Sequence, residues 1–144
     1  MWITKRAAST EEKTKGRKRH AVVDTMGYLL SIVVHAANMH DTKSGILAAQ
    51  KACEKYPSIQ AFCTDAGYRG TFINEVKQQF QCRVDISEKI KPHEWEKLPW
   101  RWIVERTFGW MNAARRLAKE FEILVSIEEA MLRIACAALL LRRL

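Results

Sequence analysis

Apolar, β-branched residues first gather over His20-Ala-Val-Val-Asp-Thr25 and Tyr28-Leu-Leu-Ser-Ile-Val-Val-His35, joined by Met26-Gly27. Two such runs around a short glycine-containing turn predict a β-hairpin. From Asp41 the period changes. Ile46, Ala49 and Cys53 recur at helical spacing until Pro57, with Asp41 as the expected N-cap. Ile59 to Thr64 is a short, nearly continuous apolar run, the pattern of a strand covered on both faces. It ends in the turn Asp65-Ala-Gly-Tyr-Arg-Gly70. Phe72, Val76 and Phe80 predict a second helix, and Cys82 to Ile86 a further strand. Residues 87–98 are polar, contain Pro92 and read as a loop. Pro99 suits the first turn of a long helix whose stripe is Ile103, Val104, Phe108, Met111, Ala114, Leu117, Ala118 and Phe121. Ser126-Ile-Glu-Glu129 reads as the capping box of a last helix, which closes on Arg142-Arg143.

The order is therefore β-β-α-β-α-β-α-α, an α/β domain over 20–144 with a mixed sheet flanked by helices. Ahead of it, Lys5, Arg6, Lys13, Lys15, Arg17, Lys18 and Arg19 face only Glu11 and Glu12, so residues 1–19 read as a flexible basic arm. At 144 residues and 48% hydrophobic content the chain has apolar surface for one core, which excludes disorder as its main state. The formal charge of +8 points to a polyanionic partner, nucleic acid ahead of an anionic membrane. Cys53, Cys63, Cys82 and Cys136 are far apart and form no C-x-x-C pair, which suits small buried hydrophobes in a reducing cytosol. Met1 to His20 has no apolar segment of a secretory signal, and the apolar run Ala135–Leu141 is too short to span a bilayer. A cytoplasmic protein without a membrane partner is expected.

Two acidic residues stand out. Asp65 sits where an apolar strand runs into a glycine turn, and ligands of α/β sheets gather at the carboxyl ends of strands. An aspartate before glycine also simply caps turns. Glu105 lies within Trp100-Arg-Trp-Ile-Val-Glu-Arg-Thr-Phe-Gly-Trp110, with Arg101 four residues before it and Arg106 after it. A solvated Arg–Glu pair is the plain alternative there, although the tryptophans argue for more than a solvated face. Carboxylates from separate elements beside basic residues are what divalent-metal phosphoryl transfer requires. His35, His40 and Asp41 also suggest a metal cluster, but a strand end and a helix cap account for them. Tyr68 suits either a DNA contact or a packed aromatic.

Four stretches carry a specific resemblance: Lys15-Gly-Arg-Lys-Arg-His-Ala-Val-Val-Asp-Thr-Met-Gly27, His35-Ala-Ala-Asn-Met-His-Asp41, Thr64-Asp-Ala-Gly-Tyr-Arg-Gly70 and Arg101-Trp-Ile-Val-Glu-Arg-Thr-Phe-Gly-Trp110. In this order they resemble the DDE transposases of bacterial insertion sequences. The resemblance implies an RNase H-like catalytic domain, Mg²⁺ or Mn²⁺ as cofactor, and DNA strand cleavage and strand transfer at element ends. It makes Asp65 the second catalytic aspartate and Glu105 the catalytic glutamate, both as metal ligands. Arg101 matches the arginine of the family's Tyr-Arg-Glu-Lys signature, whose tyrosine and lysine fall at Leu98 and Asn112. Arg115, Arg116 and Lys119 can replace that lysine electrostatically. Together with Arg101, Arg106 and the arm residues Lys15, Arg17, Lys18 and Arg19, they form the expected DNA-binding set.

The family's first catalytic aspartate has no counterpart, because no Asp precedes Asp24, and Asp24 matches a hairpin position. The sheet is accordingly expected to lack its first strand, as in an N-terminally truncated chain or the second half of a split reading frame. Two readings follow. One is the catalytic-core part of a transposase, with DNA ends and target as partners and a dimer or an N-terminal fragment to complete it. The other is an inactive fragment that binds DNA non-specifically or inhibits an intact transposase. A small basic RNA-binding domain fits the charge but not the four motifs.

Overall fold

The computed structural model describes residues 2–7, 16–87, 101–117 and 122–142. Five strands form one mixed sheet: β1 (Trp2–Ala7), β2 (Arg17–Val23), β3 (Leu29–Ala36), β4 (Ala61–Asp65) and β5 (Arg83–Ser87), in the spatial order β3-β2-β1-β4-β5. β1 is antiparallel to β2, and β2 to β3, whereas β1–β4 and β4–β5 are parallel. The helices are α1 (Asp41–Lys55), α2 (Thr71–Phe80), α3 (Arg101–Ala113) and α4 (Val125–Leu141), with 3₁₀ turns over Ala66–Tyr68 and Arg115–Leu117.

Alternation along the inner strands sorts the core into two layers. Val22 and Val33 point to the side where Ala48, Ala49 and Ala52 of α1 pack with Phe62, Phe72 and Val76. Ala21, Val23, Ile32 and Val34 point to the other side, against Ile103, Val104, Phe108 and Met111 of α3 and Leu132 of α4. The predicted hairpin is present. Asp24 Oδ1 accepts the N–H groups of Met26 and Tyr28, each at 2.8 Å, so this aspartate forms the turn.

The expected flexible arm and missing strand need correction. Residues 2–7 form β1 in the middle of the sheet, and Arg17 to Arg19 belong to β2. Polar composition misled here because main-chain pairing, with β2 along the whole strand and with β4 at Trp2 and Ile3, decides the conformation. Residues 8–15 lie outside the described residues. The first strand is thus present. What Trp2-Ile-Thr-Lys-Arg-Ala7 lacks is a carboxylate.

Helix ends also differ. His40, rather than Asp41, caps α1 by accepting the Thr42 N–H, while Asp41 sits in the first turn and pairs with Lys18 at 2.9 Å. α3 stops at Ala113, and Leu117 reaches the core from the following 3₁₀ turn instead of from a continued helix. Ala118 to Phe121, like the predicted loop from residue 88 onward, lies outside the described residues. The expected capping box does not form, since α4 begins at Val125 without a side-chain cap. Its glutamates turn to the sheet instead: Glu129 accepts the Val34 N–H of edge strand β3 at 3.0 Å. All four cysteines are free thiols. Burial pushes Cys53 up to about 12 and Cys136 up to about 11. No helix among the described residues is long and apolar enough to cross a membrane.

Candidate active site

Asp65 is the last residue of β4, half-buried, and its Oδ1 accepts the Gly67 N–H at 2.9 Å. It thereby caps the 3₁₀ turn that follows. Phe62 packs into the α1–α2 layer and Cys63 against the α3–α4 layer. Two residues beyond Cys63, Asp65 shares the α3–α4 face of the strand. Glu105 stands exposed on α3, directly after Ile103 and Val104, which anchor that helix to the same layer. Asp65 and the helix that carries Glu105 therefore lie on the same side of the sheet.

The helix carrying Glu105 is fixed by contacts with the hairpin turn. Thr107 Oγ1 donates to the Gly27 carbonyl at 2.7 Å, and Arg106 Nη2 to the Met26 carbonyl at 2.7 Å. The Arg106 guanidinium also lies between the rings of Trp102 and Trp110, 4.5 and 4.7 Å from their centroids. This sandwich explains the density of tryptophans near Glu105. Gly27 has φ +87°, and a Cβ there would come within 3.0 Å of both Arg106 Nη2 and Thr107 Oγ1. The turn needs glycine for conformation and for clearance alike.

Below the Asp65 turn lies a polar cluster that sequence reasoning did not find. Tyr68, His20 and His35 are buried in the α1–α2 half of the molecule. Tyr68 Oη is 2.5 Å from His20 Nδ1, His20 Nε2 is 2.7 Å from His35 Nε2, and His35 Nδ1 is 2.8 Å from the Ala36 carbonyl. Burial is the main cause of a Tyr68 phenol held well above its ordinary range, with the charges of Asp65 and Asp41 adding to it. The only signal in the sequence was a histidine set in the apolar run of each of two strands.

The profile of the transposase DDE domain matches residues 3–140. The chain belongs to the transposase DDE-domain family. It is 27% identical over 144 residues to the proposed transposase for insertion sequence element IS402 of Burkholderia cepacia, a match covering 88% of this chain. The chain spans 64% of the length of that relative. In fold it resembles the catalytic core domain of BIV integrase, with a TM-score of 0.59 at 13% identity, covering 95% of this chain and 80% of that one. It also resembles a chain of the simian T-cell lymphotropic virus intasome solved with PP2A regulatory subunit B56 gamma. There the TM-score is 0.60 at 15% identity, covering 94% of this chain and 45% of that one. The fold of this transposase domain is RNase H-like.

Several basic residues of the transposase domain are committed internally. Arg19, only 6% exposed, gives Nε to Glu128 Oε1 at 2.7 Å and Nη1 to the Leu117 carbonyl. Arg17 pairs with the other oxygen of Glu128 at 2.7 Å and reaches the Ile123 carbonyl. Lys18 is held by Asp41. Arg106 is stacked and anchored as described. Of the expected DNA-binding set, Arg17, Arg19 and Arg106 therefore each make contacts within the domain, Arg19 in a buried ion pair and Arg106 through its stacked guanidinium and the Met26 carbonyl. Arg115 and Arg116 remain exposed, the latter beside Glu122 at 2.9 Å. Lys15 and Lys119 lie outside the described residues, and Arg101 is placed as the first residue of α3.

Among the described residues no group of three metal-binding side chains is assembled. His35 and His40 are engaged with His20 and with the Thr42 N–H, so the alternative His35–His40–Asp41 metal site has no support. Asp65 and Glu105 provide hard oxygen donors, the type that Mg²⁺ and Mn²⁺ prefer. Gly67 occupies one Asp65 oxygen and orients the carboxylate.

Proposed function

We propose that this chain is the catalytic-core part of a DNA transposase, in which Asp65 and Glu105 hold a divalent cation, Mg²⁺ or Mn²⁺, against a DNA phosphodiester. The reading is supported by Asp65 and the helix bearing Glu105, elements far apart in sequence, lying on the same side of an RNase H-like sheet. When bound, the cation supplies Lewis-acid stabilisation of the phosphoryl group during strand cleavage and strand transfer at insertion-sequence ends. Asp65 contributes a carboxylate whose orientation is preset by the Gly67 N–H. Glu105 contributes one from a helix pinned to the hairpin by Thr107 and Arg106. Arg115 and Arg116, exposed past the end of α3, neutralise nearby phosphates. DNA ends and target DNA are the partners, and nothing in the reading calls for a membrane.

A second reading is favoured by one observation: β1 has no acidic residue beside β4. With only these two carboxylates assigned among the described residues, the chain serves one ion and the paired-ion arrangement calls for a further ligand. It would then occupy DNA, or join an intact transposase and inhibit it, without cutting. Titration with Mn²⁺ followed by plasmid nicking separates the readings. Saturable Mn²⁺ binding that Asp65→Asn and Glu105→Ala both weaken supports the shared site, and binding indifferent to both substitutions overturns it.

A further inference from the structure

The turn that carries Asp65 is anchored from beneath by a directional chain of hydrogen bonds. A carbonyl oxygen can only accept, so His35 Nδ1 carries the proton it gives to Ala36. With both rings uncharged, His35 Nε2 is then an acceptor, and His20 Nε2 must donate to it across 2.7 Å. His20 Nδ1 is left as an acceptor, which requires the Tyr68 hydroxyl to donate to it. For uncharged rings, every donor assignment follows from the one carbonyl at the end. The relay joins β3, β2 and the 3₁₀ turn capped by Asp65.

The ring of Tyr68 is equally constrained. It lies 5.1 Å from Phe72, centroid to centroid, and against the backbone of α1 at Gly45. A Cβ on Gly45 would stand 2.4 Å from Tyr68 Cε1, so this helical position accepts only glycine while the ring is in place. Gly45 costs helix propensity, and the seat it makes for Tyr68 accounts for its presence. Tyr68 follows Asp65 by three residues, and between them lies only the turn whose Gly67 N–H binds the Asp65 carboxylate.

We infer that Tyr68 is the positioning residue of the Asp65 carboxylate, and that His20 and His35 act on it through this relay. The consequence for metal binding rests on the reading of Asp65 given above, whereas the consequence for the turn itself does not. Exposed turns of this kind exchange their amide protons readily unless something holds them closed. Here the holding group is a buried phenol with a fixed hydrogen-bond direction.

The test uses three variants of the full chain. Tyr68→Phe keeps the ring and removes the donor. His20→Leu removes the relay at similar volume. His20→Gln keeps it, because the amide oxygen can accept from Tyr68 and the amide N–H can donate to His35. The first readout is hydrogen exchange of the Gly67 amide by NMR. Tyr68→Phe and His20→Leu are expected to speed it by about tenfold through more frequent local opening, with His20→Gln close to the unsubstituted chain. The second is Mn²⁺ affinity, expected to fall by about tenfold in the first two variants, as loss of a supporting group around a metal ligand does. A general packing defect would not separate glutamine from leucine at position 20. Unchanged Gly67 exchange in Tyr68→Phe overturns the inference, and should His20→Leu fail to fold, Tyr68→Phe decides alone. Absence of Mn²⁺ binding by the unsubstituted chain overturns the metal reading instead, and Gly67 exchange still decides the positioning.

Discussion

Thr107 Oγ1 lies 2.7 Å from the carbonyl oxygen of Gly27, tying the helix that carries Glu105 to a turn 80 residues earlier. The hydroxyl is also 3.0 Å from the Ile103 carbonyl, so one proton serves two acceptors. Thr107 is nearly fully buried. Thr107→Val keeps the shape and removes the bond, and is expected to cost about 1–2 kcal/mol of unfolding free energy. Gly27→Ala is expected to cost at least as much, about 1–3 kcal/mol, since it forces an L-residue to positive φ and crowds Thr107 and Arg106. Urea denaturation of both variants checks this, and an unchanged midpoint for Gly27→Ala contradicts the docking.

The Arg17–Glu128–Arg19 cluster gives a second prediction. Glu128 is 2% exposed and Arg19 6% exposed, so Glu128→Ala leaves a buried guanidinium without its counter-charge. The expected loss is about 3–5 kcal/mol. Glu129→Ala, by contrast, removes a bond to the Val34 N–H together with ion pairs to exposed Arg133 and Lys51. Arg133→Ala alone is expected to change stability by less than about 1 kcal/mol, as surface pairs do. Thermal melts of the three variants rank them in that order.

The two clusters show what was legible in the sequence. Strand and helix cores carry the 2.0 and 3.6 periods in their own residues, so β2, β3, β4, α1, α2 and α3 could be placed from the pattern, along with Asp65 at a strand end. β1 could not. Its pairing depends on strands distant in sequence, and Lys5 and Arg6 gave it the look of a tail. Nor did the roles of Arg17, Arg19 and Glu128 show, because a buried ion pair between residues 19 and 128 has no local signature. Asp41 and Ser126 have good capping chemistry, but in the fold His40 takes the first cap and the start of α4 goes without one.

DNA binding is expected to be electrostatic and largely sequence-independent, and to weaken steeply between about 50 and 200 mM salt. The structure refines which substitutions alter that dependence. Arg115→Ala and Arg116→Ala, at exposed positions, are each expected to reduce the log–log salt slope by about 1. Arg106→Ala is expected to leave the slope alone and lower the melting temperature, because its guanidinium is occupied by two tryptophans and the Met26 carbonyl. Fluorescence anisotropy across a salt series reads the slopes. Indifference of binding to salt would remove the phosphate contacts from the account.

Thiol chemistry supplies a pH test. Cys53 is raised from its ordinary value of 9.0 to about 12, mainly by burial and then by Cys82. A raised pKa means that the folded state keeps its proton where the unfolded state loses it. The associated stability is therefore complete below pH 9.0 and is lost as pH rises towards about 12. Alkaline unfolding is expected within that window, and Cys53→Ala is expected to make the fall shallower. Equilibrium denaturation at several pH values measures it, with equal slopes in both proteins counting against a protonated Cys53.

The last prediction concerns cleavage. The chain is expected not to nick DNA on its own, because Trp2-Ile-Thr-Lys-Arg-Ala7 supplies no carboxylate to the sheet position next to Asp65. Excess Mg²⁺ does not cure a missing ligand. A strand supplied in trans would have to displace β1, which lies between β2 and β4 rather than at an open edge. The register suggests a direct repair. Trp2 pairs with Cys63 and Ile3 with Thr64, and continuing that register by one step would set Thr4 opposite Asp65. Thr4→Asp therefore adds an acidic residue at the strand position adjoining the site, which is expected to raise Mn²⁺ affinity by about tenfold or more, through an added hard ligand. If the site works as a paired-ion centre, the same substitution brings plasmid nicking in Mg²⁺ or Mn²⁺ that Glu105→Ala removes. Nicking by the unsubstituted chain that also depends on Glu105 would show that a third ligand is already present. Asp24 would then be the first residue to replace, and its two bonds to the hairpin backbone predict that Asp24→Asn should keep the fold while testing the charge.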